Sequence, residues 1–143
     1  MVSIRSGVMV TLALLLVGCA ATDRSSERQQ RVDAYQQHVT GSIDETVFSR
    51  VRSWTPIGHD HIAVRSARGE YFLLTIDPFC SDRLRGGAAL RMELIQSTPN
   101  SLTRHDRVRL DGQNCRIQQI RRLDHEALKA TLEEAGVRDS FLR

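Results

Sequence analysis

Ile62-Ala63-Val64-Arg65-Ser66, then Ala67-Arg68-Gly69-Glu70, then Tyr71-Phe72-Leu73-Leu74-Thr75-Ile76 is the stretch on which the fold turns. The first run alternates apolar and polar residues, the pattern of a strand with one face covered. Gly69 sits in the connection and supplies the turn. The second run is apolar on both faces, which predicts a central strand covered on both sides. Asp77-Pro78 ends it, because proline has no N–H to give to a ladder.

Downstream, Phe79 to Gly87 reads as a loop or a single helical turn, with Gly86-Gly87 a turn. Ala88 to Gln96 reads as a strand: Leu90, Met92 and Leu94 alternate with Arg91 and Glu93. Ser97-Thr98-Pro99-Asn100-Ser101 is a turn cluster. Asp106-Arg107-Val108-Arg109-Leu110 alternates again, and Asp111-Gly112-Gln113-Asn114 is a hairpin signal. Cys115 and Ile117 share a face in the next strand; Ile120 breaks that parity, which predicts a bulge near Gln118-Gln119. Asp124 is placed as a helix N-cap, with Leu123 and Leu128 at the spacing of a hydrophobic staple. Leu128, Leu132 and Ala135 form the apolar stripe, and Gly136 sits at the C-terminal cap.

Upstream, Val47, Val51 and Trp54 fit a helical period, while Val51, Ser53 and Thr55 fit a strand. Pro56 interrupts either, and we place a first strand near Arg52 to Ile57. The expected fold class is mainly β: a small antiparallel sheet or barrel of five to six strands with a C-terminal α-helix against it.

The N-terminus has a different character. Arg5 lies in a short leading segment, and Val8 to Val17 is apolar apart from Thr11, which reads as a signal peptide rather than a spanning helix. Leu16-Val17-Gly18-Cys19 resembles the bacterial lipobox. That resemblance implies cleavage before Cys19 and attachment of diacylglycerol and a further acyl chain such as palmitate to Cys19. Ordinary signal cleavage after Cys19-Ala20-Ala21 is the alternative. Ala20, rather than aspartate, follows the cysteine; by resemblance to enteric-type sorting this implies the outer membrane, facing the periplasm. Two or three acyl chains anchor stably where one holds marginally. The expected organisation is a signal peptide over 1–18, a lipidated cysteine and polar tether over 19–45, and a folded domain over 46–143. The tether has few apolar residues to bury, although Val32, Tyr35 and Val39 permit a short amphipathic helix.

Three cysteines are present. With Cys19 acylated, Cys80 and Cys115 can pair in only one way, and an oxidising compartment makes that pair a disulfide. No Cys-x-x-Cys points to a redox role. Net charge is +3 over 143 residues, too weak an excess to argue for nucleic acid. His59-Asp60-His61 puts two imidazoles two residues apart, a spacing that can serve a metal, but Asp60, His105 and Asp106 complete no recognised ligand set. No nucleophile motif or phosphate-binding glycine loop occurs. Asp82, Asp106 and Asp124 stand beside arginines and read as surface pairs. No catalytic residue, cofactor or metal is expected. Arg65, Arg68, Arg107, Arg109, Arg121 and Arg122 lie on strands or turns, and on a shared face they would meet a polyanion.

Tyr71 to Ile76 with Cys80, Asp106-Arg107-Val108, Asp111-Gly112, Cys115-Arg116-Ile117, Ile120 and Leu123-Asp124 together resemble a family of small, uncharacterised proteobacterial lipoproteins carrying a domain of unknown function. The likeness runs from about Val47 to Leu132 and implies no activity. The expected function is a lipid-anchored envelope module that is not an enzyme and binds a protein partner or stabilises an assembly. The alternatives are a binder of an envelope polyanion or glycan, and an enzyme of unrecognised type.

Overall fold

The computed structural model describes residues 17–85 and 91–143. In chain order the elements are α1 (Val17–Gln37), β1 (Val39–Ile43), β2 (Glu45–Val47), β3 (Val51–Ile57), β4 (His61–Ser66), β5 (Tyr71–Ile76), α2 (Ser81–Arg85), β6 (Met92–Ile95), β7 (Ser101–Thr103), β8 (Arg107–Leu110), β9 (Gln113–Leu123) and α3 (His125–Glu134). Six strands run β3-β4-β5-β9-β8-β6 in a nearly closed antiparallel sheet, β1 adds to β9, and β2 pairs with β7 apart. The mainly β class with a C-terminal helix is therefore correct. The signal-peptide leader up to residue 16, the Gly86-Gly87 turn and the start of the strand at Ala88 lie outside the described residues.

The hairpin forms where its pattern placed it, with Ala63 opposite Leu73 and Gly69 at φ +87° in the connection. Ile62, Val64, Phe72 and Leu74 point into the barrel and join Phe48, Ile76, Leu102, Val108, Leu110, Ile117 and Ile120. Ala63, Tyr71 and Leu73 point outward, as strand alternation requires, and are covered by Ala34 and Tyr35 of α1 and by Leu128, Leu132, Phe141 and Leu142. β4 is thus buried on both faces, not one. Its outer face is shielded by chain ends that local alternation cannot report.

β9 is the shared strand. Its second half borders β5, from Phe72 opposite Arg122 to Ile76 opposite Ile117, with Gln118 left over as a bulge. On its other edge the first half pairs with β8 and the second half with β1. The bulge lies where the parity of Ile117 and Ile120 predicts it. Asp111 and Gly112, at φ +47° and +85°, make the two-residue turn from β8 to β9, a geometry that asparagine, aspartate and glycine tolerate best. Pro56 is accommodated because β3 is an edge strand of the sheet.

The polar stretch 19–45 differs from the expected tether. It forms α1 and β1, and its second half belongs to the packed body. The few apolar side chains there suffice because they are concentrated: Ala34 and Tyr35 are buried and Val32 and Val39 pack beside them. Val39, read with Val32 and Tyr35 as one helical stripe, lies in β1 instead. β1, β2 and β7 carry no pattern of their own; at three to five residues each they exist through their partners.

Asp124 caps α3, its carboxylate accepting from Ala127 N at 3.1 Å. Gly136 at φ +70° closes the other end, with Val137 N donating to Leu132 O at 2.9 Å. Leu123 and Leu128 meet in the outer core, as a staple requires.

Candidate functional site

Cys80 and Cys115 are bonded, with Cα atoms 6.0 Å apart. Cys80 closes the 3₁₀ turn after β5, which Asp77 caps by accepting from Phe79 N. Cys115 points into the barrel from β9 and is 1% exposed. The bridge ties the exit of the central strand to the strand after the Asp111-Gly112 turn and closes a loop of separation 35. Such a loop is worth on the order of 4 kcal/mol by chain entropy.

Two other buried polar groupings are structural. Asp139 lies near the C-terminus with its carboxylate 3% exposed and accepts from Arg31 Nε at 2.7 Å. Tyr35 OH donates to the same oxygen at 2.8 Å. Burial and then the Asp139 charge push the Tyr35 phenol far above its usual range, so it stays protonated. Arg31 also donates to Thr55 Oγ1 at 3.1 Å, which links α1, β3 and the C-terminal tail in one network. Asp106 is 2% exposed and accepts from Ser97 N at 2.7 Å, Ser97 Oγ at 2.6 Å and Thr103 N at 2.7 Å. Burial alone would raise its pKa; the bonds from Ser97 and Thr103 outweigh it and hold the carboxyl below the ordinary range. Asp106 is therefore not a surface partner of arginine but the knot of the turn before β8. Asp82 stands 3.9 Å from Arg85 on the surface, and Asp124 is a cap.

His59 and His61 do not act together. The β3–β4 connection is a tight turn, so His59 is exposed while His61 is buried at the head of β4. Asp60 Oδ1 lies 2.6 Å from His61 Nδ1, an ion pair when the ring is protonated but off the angle of a hydrogen bond. Thr75, opposite His61 on β5, has a buried hydroxyl with no hydrogen bond, so no Asp-His-Thr relay is formed. Among the described residues no group of three His, Cys, Asp or Glu side chains could hold a metal.

The six arginines do not share a face. Arg121 and Arg122 are neighbours on one strand and must point oppositely. Arg65 leans over Tyr71 at 5.2 Å with a buried Nε, whereas Arg122 pairs with Glu70 at 3.0 Å. Arg109 pairs with Glu93 at 3.1 Å. Arg107 stands directly opposite Arg116, and both are exposed.

Two open clefts are relevant. One, of about 680 Å³, follows the seam between the two end strands of the barrel path and is lined by Trp54 of β3, Met92 and Glu93 of β6, and Arg109. The other, of about 620 Å³, lies where α1 crosses the β3–β4 turn and α2, and its lining includes Arg28, Arg31, His59 and Arg85. No contiguous motif marks the basic cleft, because its side chains come from three distant segments. A signal was present: Arg24, Arg28 and Arg31 are spaced to share one stripe once the segment is helical.

These features define a class: a small, disulfide-bridged antiparallel β-barrel-like protein flanked by helices from both chain ends, with open surface clefts. The chain belongs to a family of unknown function (DUF6491), whose model matches residues 2–139. That span is wider than the likeness over residues 47–132 and takes in the leader and α1. No curated protein and no solved structure matches the chain.

Proposed function

We propose that the protein is exported, acylated on Cys19 and held on the periplasmic face of the outer membrane, where its barrel serves as a non-enzymatic binding or assembly module. The observation that carries this reading is the pairing of two features. An apolar leader ends at a lipobox-like Cys19, and Cys80 is bonded to Cys115, which requires an oxidising compartment to persist. Among the described residues no helix is long and apolar enough to cross a membrane, so attachment would rest on the acyl chains. Mass spectrometry of the protein from fractionated cells tests the reading. The expected N-terminal peptide begins at Cys19 and carries diacylglycerol and a fatty acid, in the membrane fraction. An unacylated chain in the soluble fraction sinks it. In-cell crosslinking in the same preparation reports the partner.

A second reading, a binder of an envelope polyanion or glycan, is favoured by Arg107 opposite Arg116. Like charges directly across a ladder are destabilising by themselves, and neither side chain forms an ion pair among the described residues. Retention on purified peptidoglycan that falls steeply with salt and is lost in Arg107→Gln/Arg116→Gln supports it; salt-independent retention removes it.

A further inference from the structure

The cleft of about 620 Å³ between α1, the β3–β4 turn and α2 has Arg28, Arg31, His59 and Arg85 in its lining, with Val32 and Leu84. No carboxylate is among its lining residues. Arg31 is held in place by Asp139, Thr55 and the Pro56 carbonyl, and forms a fixed wall. Arg28 makes no ion pair among the described residues. Arg85 reaches Asp82 only at 3.9 Å, on the surface. The cleft therefore has an excess of guanidinium groups and room for a ligand of headgroup size. Guanidinium forks suit phosphate oxygens, which they bind in bidentate fashion.

Its position narrows the source of that phosphate. Arg28 lies nine residues after Cys19 on the same helix, roughly 14 Å along the axis. An α1 inclined toward the membrane plane brings the cleft to the headgroup layer, whereas one standing upright leaves Arg28 roughly 14 Å from the anchor, beyond a Debye length at physiological salt. We infer that this cleft binds the phosphate of an anionic phospholipid headgroup in the membrane that carries the protein. The inference rests on the anchored reading above. With the headgroup bound, α1 becomes a fixed bracket that sets the angle of the barrel to the membrane.

The test uses the chain from residue 19 with Cys19→Ser, which keeps every residue of both cores. Its affinity is measured by co-sedimentation with vesicles of phosphatidylcholine, with and without phosphatidylglycerol. The expected result is binding only to the anionic vesicles, weakened about thirtyfold in Arg28→Gln/Arg85→Gln, since each arginine near such a surface contributes on the order of 1 kcal/mol. Arg50→Gln/Arg68→Gln removes the same charge at the opposite end of the β3-β4-β5 strands and is expected to change affinity less than about threefold. Circular dichroism confirms that all three proteins are folded. Failure to bind, unchanged affinity in Arg28→Gln/Arg85→Gln, or an equal loss in both double variants overturns the inference. So does displacement by millimolar inorganic phosphate, which would make the cleft a free-anion site. Acylation of Cys19 is read separately by mass spectrometry, so failure of the anchor and failure of the headgroup site are told apart.

Discussion

The interior of the barrel and the layer outside it are built by different rules. Inside, alternate positions of successive strands supply Ile62, Val64, Phe72, Leu74, Val108 and Leu110, with the disulfide among them. Outside, the two ends of the chain supply most of the cover, and polar side chains fasten it: Arg31 and Tyr35 to Asp139, and His38 to Thr131 across 2.7 Å. The interior is held by apolar burial, which is additive and non-directional. The outer layer depends on a few directional bonds between residues as much as 108 apart in sequence. On this construction α1 is an attached part whose hold can be weakened without dissolving the barrel.

The largest effects are expected inside the barrel. Phe72 is fully buried and meets Phe48 edge-to-face at 5.8 Å. Phe72→Ala is expected to cost about 4 kcal/mol and to lower the urea midpoint of the whole domain. A loss under about 1 kcal/mol would show that the interior repacks freely. Replacing both bridge cysteines, Cys80→Ser/Cys115→Ser, is expected to cost about 4 kcal/mol, again globally. Equal stability of the reduced and oxidised wild-type protein would contradict it.

The outer layer should respond differently. Asp139→Ala leaves Arg31 and the Tyr35 hydroxyl without their acceptor, and is expected to cost about 2 kcal/mol after allowing for the partial exposure of Arg31. Hydrogen exchange should rise in α1 and the C-terminal turn while β5 and β9 keep their protection; uniform loss of protection would erase the distinction between the two layers. The smallest effect is in Tyr35→Phe, about 1 kcal/mol, and it carries a pH signature. The folded-state pKa of Tyr35 is raised above its ordinary value of 10.0. Its contribution is therefore full below about pH 10 and is lost as pH rises above that. Wild type should lose stability above pH 10 more steeply than Tyr35→Phe in alkaline denaturation; parallel curves would remove Tyr35 from the account.

What could be read from sequence follows the same division. Gly69, the Asp111-Gly112 turn, the bulge before Ile120 and the Asp124 and Gly136 caps are local devices, so nearby residues reveal them. Cys80 and Cys115 are legible by elimination once Cys19 is set aside. The α1 segment has the composition of a tether because, among its described side chains, only Ala34 and Tyr35 are fully buried, and bonds such as that of Tyr35 to Asp139 go to the far end of the chain. β2 and β7 are too short for a periodicity, and only their mutual pairing of Glu45 with Thr103 and Val47 with Ser101 makes them strands. The basic cleft was hidden for the same reason: Arg28, His59 and Arg85 become neighbours only after α1 has docked.

The long strand β9 has a consequence for the order of events when the chain first folds. Ile43 takes its place opposite Ile120, and Leu73 opposite Arg121. β3, β4 and β5 can pair with one another as local hairpins, but β1 has no partner and the barrel cannot close until the last quarter of the chain exists, and pairings at such separation are slow to form. A chain made from its N-terminus must keep Ile62, Phe72 and Leu74 from sticking elsewhere while it waits. The barrel thus closes late, when β9 arrives to serve three partners.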